Sequence, residues 1–483
     1  MEKNDRRSFL RNLSLGTGAL AIGNNHLRGA DDPFLNAGYK LAPAAGNMSG
    51  YAAPKLNKVR IGFIGLGMRG PGAVQRMSYI EGVEIVGLCD KYGERATKAQ
   101  SILSKAGMPA AMEYSGEDGW KKMCDSKDVD LIYICTPWHL HTPMAVYAMK
   151  QGKHVAVEVP AALTIEECWQ LVDTSEKTKR HCMMLENCCY DFFELLTLNM
   201  ARQGLFGELV HAEGAYIHDL LDLNFNKENG YADMWRLKEN MKNGNLYPTH
   251  GLGPIAQCMN INRGDRFDYL TSMSSNDFMM RDHANKLAEK DDFFKPFANK
   301  QYRGNMNTTL IHTAKGKTIM VQHDVTSPRP YSRIHLISGT KGMASKWPSP
   351  QRIAFGHSWL KQDEMKELEE KYAPEIVKKI GELAKKIGGH GGMDFMMDWR
   401  LIDCLRNGLP LDQDVYDAAA WSCITPLSQQ SISKRSSGVD VPDFTRGNWK
   451  SNKPVELTLA GGGTTGVRSV NEQGKEKQLK VDG

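Results

Sequence analysis

The sequence predicts an α/β chain: a doubly wound parallel sheet followed by an α+β domain with an open, mostly antiparallel sheet. Three observations carry this reading. Lys58 to Asp90 joins an apolar strand-like run, a glycine turn, a helical stretch and a second apolar run. Strand and helix periodicities go on alternating to Leu185, and beyond Leu195 closely spaced strand candidates take over.

The first apolar run, Val59 to Ile64, meets Gly65, Gly67 and Gly70, and a helix with Ala73, Val74 and Met77 on one face follows. The glycines of a G-x-G-x-x-G turn have separate tasks: a tight turn, close approach of backbone to a pyrophosphate, and close packing of helix on strand. The free N–H groups at the helix start favour phosphate. The second run, Val83 to Cys89, ends in Asp90, about 20 residues after the last glycine, where this fingerprint places its ribose-binding carboxylate. A carboxylate there favours a free 2′-hydroxyl, so the expected cofactor is NAD(H), not NADP(H). A glycine turn that binds nothing is the bland alternative, and the complete strand, turn, helix, strand and Asp context argues against it.

At 483 residues the chain is long enough for two domains with terminal extensions. A net charge of +5 is small for that length and argues against a nucleic-acid partner. No apolar run is long enough to span a bilayer. All ten cysteines lie from Cys89 onward without paired C-x-x-C spacing, so buried free thiols are expected rather than a zinc ribbon. Cys188 and Cys189 are adjacent and are not read as a disulfide.

In chain order, residues 1–30 carry Arg6 and Arg7, then Ser8, Phe9 and Leu10, then a mildly apolar stretch from Leu13 to Ile22. That is the layout of a twin-arginine export signal and predicts a periplasmic or cell-surface protein. Export after folding fits a cofactor that is tightly held. Residues 31–57 read as a linker and 58–187 as the NAD-binding Rossmann domain. Within it the buried run Val129 to Cys135, the turn Thr136 to Pro143, and the strand His154 to Pro160 place Asp90, Thr136 to His141 and Glu158 at carboxyl ends of strands, where such sheets bind ligands.

Residues 188–445 read as a substrate and oligomerisation domain, with strand candidates Leu209 to Ile217, Phe267 to Ser274, Asn307 to His312, Thr318 to Asp324 and Ser332 to Ser338. The stretch Asp363 to Lys386 has i, i+4 Glu and Lys pairs and reads as a solvated helix. Residues 446–483 read as a polar, peripheral tail.

The segments GLGMRG, TPWHLHTP, GKHVAVEVP and YPTHGLGP resemble, in order, the Gfo/Idh/MocA oxidoreductase superfamily from Lys58 to about Pro442. Most of that superfamily carries Glu-Lys-Pro where this chain has Glu158, Val159 and Pro160, so the lysine that assists simple alcohol dehydrogenation is missing. With the leader, ENCCYD and SPRPYSR, the chain is most similar to glycoside hydrolase family 109, the NAD-dependent glycosidases typified by α-N-acetylgalactosaminidases. The resemblance implies retaining hydrolysis of terminal α-N-acetylgalactosamine, with NAD reduced at C3 oxidation and restored each turnover, outside the two-carboxylate scheme.

By the resemblance, Gly65, Gly67, Met68, Arg69, Gly70, Asp90, Trp138, His139, Leu140, His141, Glu158, Val159, Asn187 and Tyr247 are expected to hold the cofactor. Tyr216, Arg236, Tyr247, Pro248, Thr249, His250 and Tyr331 are expected to hold the sugar. A base near C2 and an acid near the leaving oxygen are required, with His250 the first choice, then Tyr190 and Tyr247. Each of these has a structural hydrogen bond as its bland alternative. His139 and His141 have weak metal-ligand spacing, and no metal is expected. His390, between glycine pairs, reads equally as a functional or a plain loop histidine. Two competing readings are a periplasmic sugar oxidoreductase and a non-catalytic sugar-binding protein with structural NAD. A homodimer or larger assembly is expected from the open sheet face.

Overall fold

The computed structural model describes residues 41–228, 233–470 and 476–479. The expected export leader and residues 31–40 lie outside the described residues.

Strands β1 (Val59–Ile64), β2 (Val83–Asp90), β3 (Met112–Ser115), β4 (Leu131–Ile134), β5 (His154–Val157) and β6 (Cys182–Met184) form one parallel sheet in the order β3-β2-β1-β4-β5-β6. Between them run α1 (Gly70–Met77), α2 (Gly93–Lys105), α3 (Gly119–Asp125), α4 (His141–Lys150) and α5 (Ile165–Thr178). Helices cover both faces, which is why β4 and β5 read as unbroken apolar runs and are buried throughout. The strand order reverses between β1 and β4, and the crevice at their carboxyl ends is the ligand position of such sheets.

The second domain comprises α6 (Phe192–Arg202), β7 (Leu209–Ile217), α7 (Leu221–Asn224), α8 (Trp235–Glu239), α9 (Thr249–Cys258), β8 (Phe267–Ser274), α10 (Met280–Lys290), β9 (Asn307–Thr313), β10 (Thr318–Asp324), β11 (Leu336–Gly339), β12 (Met343–Ser345), β13 (Arg352–Ala354), α11 (Gln362–Tyr372), α12 (Glu375–Ile387), α13 (Met393–Asn407), α14 (Val415–Ser422), α15 (Ile424–Ser433) and β14 (Val439–Asp440). Its eight strands pair in the order β13-β12-β11-β7-β10-β9-β8-β14, antiparallel except for β10 on β7. Burial alternates along β9 and β10, as expected of a sheet with one face on a core and one open. Helix α9 lies flush on β7. A Cβ on Gly214 would stand 2.4 Å from the Gly251 carbonyl oxygen, and one on Gly251 would stand 2.2 Å from the Ala215 nitrogen. Only a glycine pair permits that approach.

Three expectations are corrected. The strand expected from Ser332 begins at Leu336, because Ile334 and His335 adopt left-handed φ of 59° and 46° and break the pleat. The charged stretch is two helices, α11 and α12, parted at Pro374, and α12 buries Ile376, Ile380 and Ala384 at i, i+4 spacing instead of being solvated all round.

The third concerns both ends of the described body. The later part of the expected linker is a packed strap: Met48 N–H donates to the Tyr416 hydroxyl (3.0 Å) and Leu56 N–H to the Leu405 carbonyl (3.1 Å). The segment expected to be a peripheral tail docks through buried Trp449 and Thr465, whose carbonyl accepts from Trp399 Nε1 (3.0 Å). Strap and tail meet at one buried carboxylate. Glu176 accepts from Ala45 N–H (3.0 Å), the Tyr416 hydroxyl (2.8 Å) and the Arg446 guanidinium (2.8 Å). Composition alone made both segments look loose; distant hydrogen-bond partners hold them.

Candidate active site

The glycine turn after β1 builds the floor of a cavity of about 350 Å³. Gly65 has φ of 91°, and a Cβ there would fall 2.6 Å from the Cys135 carbonyl oxygen; one on Gly70 would fall 2.0 Å from that of Gly65. The turn therefore presents bare backbone. At the end of β2, Asp90 accepts from Leu66 N–H (2.7 Å) and Tyr92 N–H (3.0 Å), which fixes its carboxylate at the cavity wall. Arg95 stacks over Tyr92, 4.6 Å from the ring centre, on the same wall. A cradle of bare backbone beside an oriented carboxylate fits a dinucleotide.

Gly65, Gly67, Met68, Arg69, Asp90, Trp138, His139, Leu140, His141, Glu158, Val159 and Tyr247 all line this cavity. Gly70 lies behind the turn. Asn187 is enclosed, its amide donating to Asp394 Oδ1, so it supports the floor from beneath. His141 has no exposed surface: its two ring nitrogens face the carbonyl oxygens of Pro160 (2.7 Å) and Thr136 (2.8 Å), and burial pushes its pKa down. It ties the Thr136 turn to the Glu158 strand end and offers no free nitrogen to a metal. Glu158 pairs with Arg69 Nε (3.1 Å), and that carboxylate holds the Arg69 guanidinium charged. Val159 is buried where the superfamily lysine would stand.

The cavity opens into an aromatic cluster. Tyr247 stacks on Trp138 (5.5 Å, 23°) and meets Tyr216 (4.8 Å) and, edge-on, His250 (4.8 Å, 86°). Tyr331 stands edge-on to Tyr216 and to His218, and the Arg236 guanidinium lies over Trp138 (5.4 Å) and Tyr247 (5.7 Å). Of the expected sugar contacts, Tyr216, Arg236, Tyr247, His250 and Tyr331 are thus brought together. Thr249 is not among them: it is fully enclosed and, with buried Pro248, forms the start of α9 that carries His250.

His250 Nδ1 lies 2.7 Å from Glu186 Oε1 and 3.0 Å from Oε2. Glu186 is 0% exposed. Burial pushes its carboxyl up, but the His250 charge and hydrogen bonds from His250, Thr249 and the Cys188 N–H outweigh this, and the net shift is downward. An anionic Glu186 fixes the tautomer, with the proton on Nδ1 and the lone pair on Nε2. Burial pushes the phenol of Tyr247 well up, so it stays neutral.

Tyr190 is corrected. Its hydroxyl donates to Asp412 Oδ2 (3.3 Å), which Arg400 Nε also holds (3.0 Å), and it lines neither cavity nor cluster. The short turn Asn187–Tyr190 aims it at the core side, where it is a structural hydrogen bond.

Three further residues bear on the site beyond those the sequence assigned to it. Glu186 follows β6 by two residues, at the ligand edge of the sheet, a position that could have flagged it. His218, two residues after Tyr216, is within 3.1 Å of the Tyr216 hydroxyl; burial, Arg236, and then the charges of His250 and His390 push its pKa down. His390 is the third: its Nδ1 lies 2.9 Å from Asp394 Oδ2 and 3.4 Å from Arg69 Nη1, and its ring is 52% exposed. It sits in a run of five left-handed residues, Gly388 to Gly392, with φ of 93°, 84°, 48°, 75° and 108°. The site therefore holds two histidine–carboxylate pairs, one enclosed and one at the surface.

Comparison with known proteins agrees with this geometry. Residues 59–186 match the oxidoreductase family with NAD-binding Rossmann fold, and residues 190–451 match the glycosyl hydrolase 109 C-terminal domain. An alpha-N-acetylgalactosaminidase of Bacteroides fragilis is 54% identical over 415 residues, 84% of this chain and 97% of that protein. A glycosyl hydrolase family 109 protein of Phocaeicola vulgatus is 51% identical over 409 residues, 84% of this chain and 98% of that one. Among solved structures, an NAD binding oxidoreductase from Klebsiella pneumoniae superposes with a TM-score of 0.60 at 16% identity, over 80% of this chain and all of that one. A levoglucosan dehydrogenase in complex with NADH and levoglucosan gives 0.58 at 18%, with the same coverage. At such identities the likeness shows the fold.

Proposed function

The chain belongs to glycosyl hydrolase family 109 and is an NAD-dependent glycosidase, and from that premise we propose that its substrate is a terminal α-linked N-acetylgalactosamine, hydrolysed with retention. The observation that carries the reading is the Glu186–His250 pair standing where the dinucleotide cavity meets the aromatic cluster.

Held by the bare turn at Gly65 and Gly67 and by Asp90, NAD would supply reversible hydride acceptance at C3 of the sugar, with the C3 hydroxyl proton passing to solvent. The C3 keto group would acidify the C2 proton, and hydride and proton would return in the same turnover without net oxidation. The residues supply the rest. The aromatic rings of Tyr216, Tyr247 and Tyr331 take the sugar faces, and Arg236 donates to hydroxyl or acetamide oxygen. His250 Nε2 removes the C2 proton, and the buried Glu186 carboxylate stabilises the imidazolium that forms. The exposed His390, oriented by Asp394, gives a proton to the departing oxygen and then takes one from the entering water. Arg69 keeps Glu158 neutralised, so that the cavity floor does not repel the phosphates.

A sugar oxidoreductase is the weaker reading, because the similar proteins matched over 84% of this chain are an alpha-N-acetylgalactosaminidase and a family 109 glycosyl hydrolase. The test is release of nitrophenol from α- and β-linked nitrophenyl N-acetylgalactosaminides by purified protein without added NAD. Many turnovers on the α-glycoside with no net reduced nicotinamide are expected; reduced nicotinamide accumulating without cleavage would overturn the assignment.

Two further proposals stand with it. The Arg6–Arg7 leader supports export by the twin-arginine route to the periplasm or cell surface. Exposed Tyr269, Met273 and Leu310 on the open sheet face support self-association. Fractionation and light scattering test them.

A further inference from the structure

The cavity is walled by both domains. One side is the end of β2 with Lys91, Tyr92 and Arg95; the facing side is Asp233, Trp235 and Arg236 from the start of α8. Trp235 meets Trp138 edge-on at 5.3 Å and 67°, and Arg236 covers Trp138 from the next position. Asp233 is close enough to Lys91 to raise its pKa along with Glu117, the larger cause.

Between these residues Met234 points the other way. Its φ is 50°, a left-handed value that a methionine adopts only when its surroundings hold it there. Those surroundings are a hydrophobic cluster formed by Phe225 just after α7, Leu237 of α8, Met280 and Ala284 of α10, Phe294 of the turn Asp292–Phe297, and Tyr302 beyond it. Within it Met234 is 2% exposed. The chain therefore turns over at Met234, with one residue anchored in the cluster and its neighbours laid across the cavity.

Resting on the NAD assignment above, we propose that Asp233 to Arg236 is a cofactor clamp: Trp235 closes the cavity against Trp138, and the Met234 cluster keeps it closed, so that the dinucleotide stays bound between turnovers. Arg236 also reaches Tyr247, so the same segment serves the sugar pocket.

The experiment measures retention, not turnover. Purified wild type, Trp235→Ala and Phe294→Ala are dialysed, the nucleotide freed by denaturation is quantified, and exchange is timed by dilution into a fluorescent etheno-NAD. Phe294 is in the cluster and lines no part of the cavity. Wild type is expected to keep NAD through dialysis, and Trp235→Ala to exchange about two- to tenfold faster, as loss of one aromatic contact predicts. Phe294→Ala is expected to do the same in part, with unchanged far-ultraviolet circular dichroism. Retention equal to wild type in Trp235→Ala overturns the clamp. Faster exchange in Trp235→Ala alone overturns the role of the Met234 cluster. A wild type that neither contains nor takes up NAD would instead sink the cofactor assignment itself.

Discussion

The two histidine–carboxylate pairs are built in opposite ways. His250 sits at the start of α9, held by Glu186 and by the Gly214 and Gly251 contact that leaves no room for a single added carbon. His390 sits on five left-handed residues where Cβ atoms on Gly388 and Gly391 would meet nothing within 4 Å, and its ring is half in solvent. On the proposed mechanism, the difference follows from the proton each would move. A base that abstracts from a ring carbon works only at one distance, so rigidity serves it. An acid that must let a leaving group out and water in needs room, so a loose loop serves it.

Removing each histidine should separate the two roles. His250→Ala is expected to lower kcat by about 10³- to 10⁴-fold on every substrate, whatever the leaving group. His390→Ala is expected to lower it by about 10²- to 10³-fold on alkyl or sugar glycosides and only a few-fold on dinitrophenyl glycosides, whose departure needs no proton. A uniform loss across leaving groups would refute the assignment of His390.

The contrast in packing makes a second test. Gly251→Ala forces α9 off β7, and a loss of about 1–3 kcal/mol in denaturant stability is expected, with activity lost through displacement of His250. Gly391→Ala should cost only about 1 kcal/mol, from left-handed backbone alone, and reduce kcat a few-fold. Equal effects would erase the distinction between rigid and loose.

The smallest expected effect is on pH. Burial pushes Asp394 up, but the His390 hydrogen bond and the charges of Arg69 and Arg76 outweigh it and hold the carboxyl below its ordinary 3.8. A depressed carboxyl contributes stability that is present above about pH 4 and is lost as pH falls through the folded value. Thermal midpoints of the wild type should therefore drop more steeply below pH 4 than those of Asp394→Asn. Parallel curves would show that Asp394 is not charged in the folded protein.

The dinucleotide cavity was legible because its signal is local: strand, glycines, helix and Asp90 fall within one short stretch. His250 and the aromatic cluster were legible through resemblance. Tyr190 misled because neighbours in sequence do not fix direction; Asp412, 222 residues away, does. Glu186 shows no role in the sequence because its partner His250 lies 64 residues on. The His390 and Asp394 pair is four residues apart and could have been read, since glycines on both sides of a histidine mark a loop in which a nearby carboxylate is the natural partner. The strap and the tail look loose in sequence because their anchors are distant, 131 to 368 residues away for the strap and, at Thr465 and Arg446, 66 and 270 for the tail.

That knot at Glu176 has a bearing on synthesis. Its carboxylate receives a group from residue 45 and another from residue 446, so it cannot close while the ribosome still holds the last part of the chain. The N-terminal strap is among the first segments made and among the last fastened. Its attachment thus reports that the chain has been translated at least through Tyr416, and a chain truncated before Leu405 would leave the strap without its partners Leu405 and Tyr416.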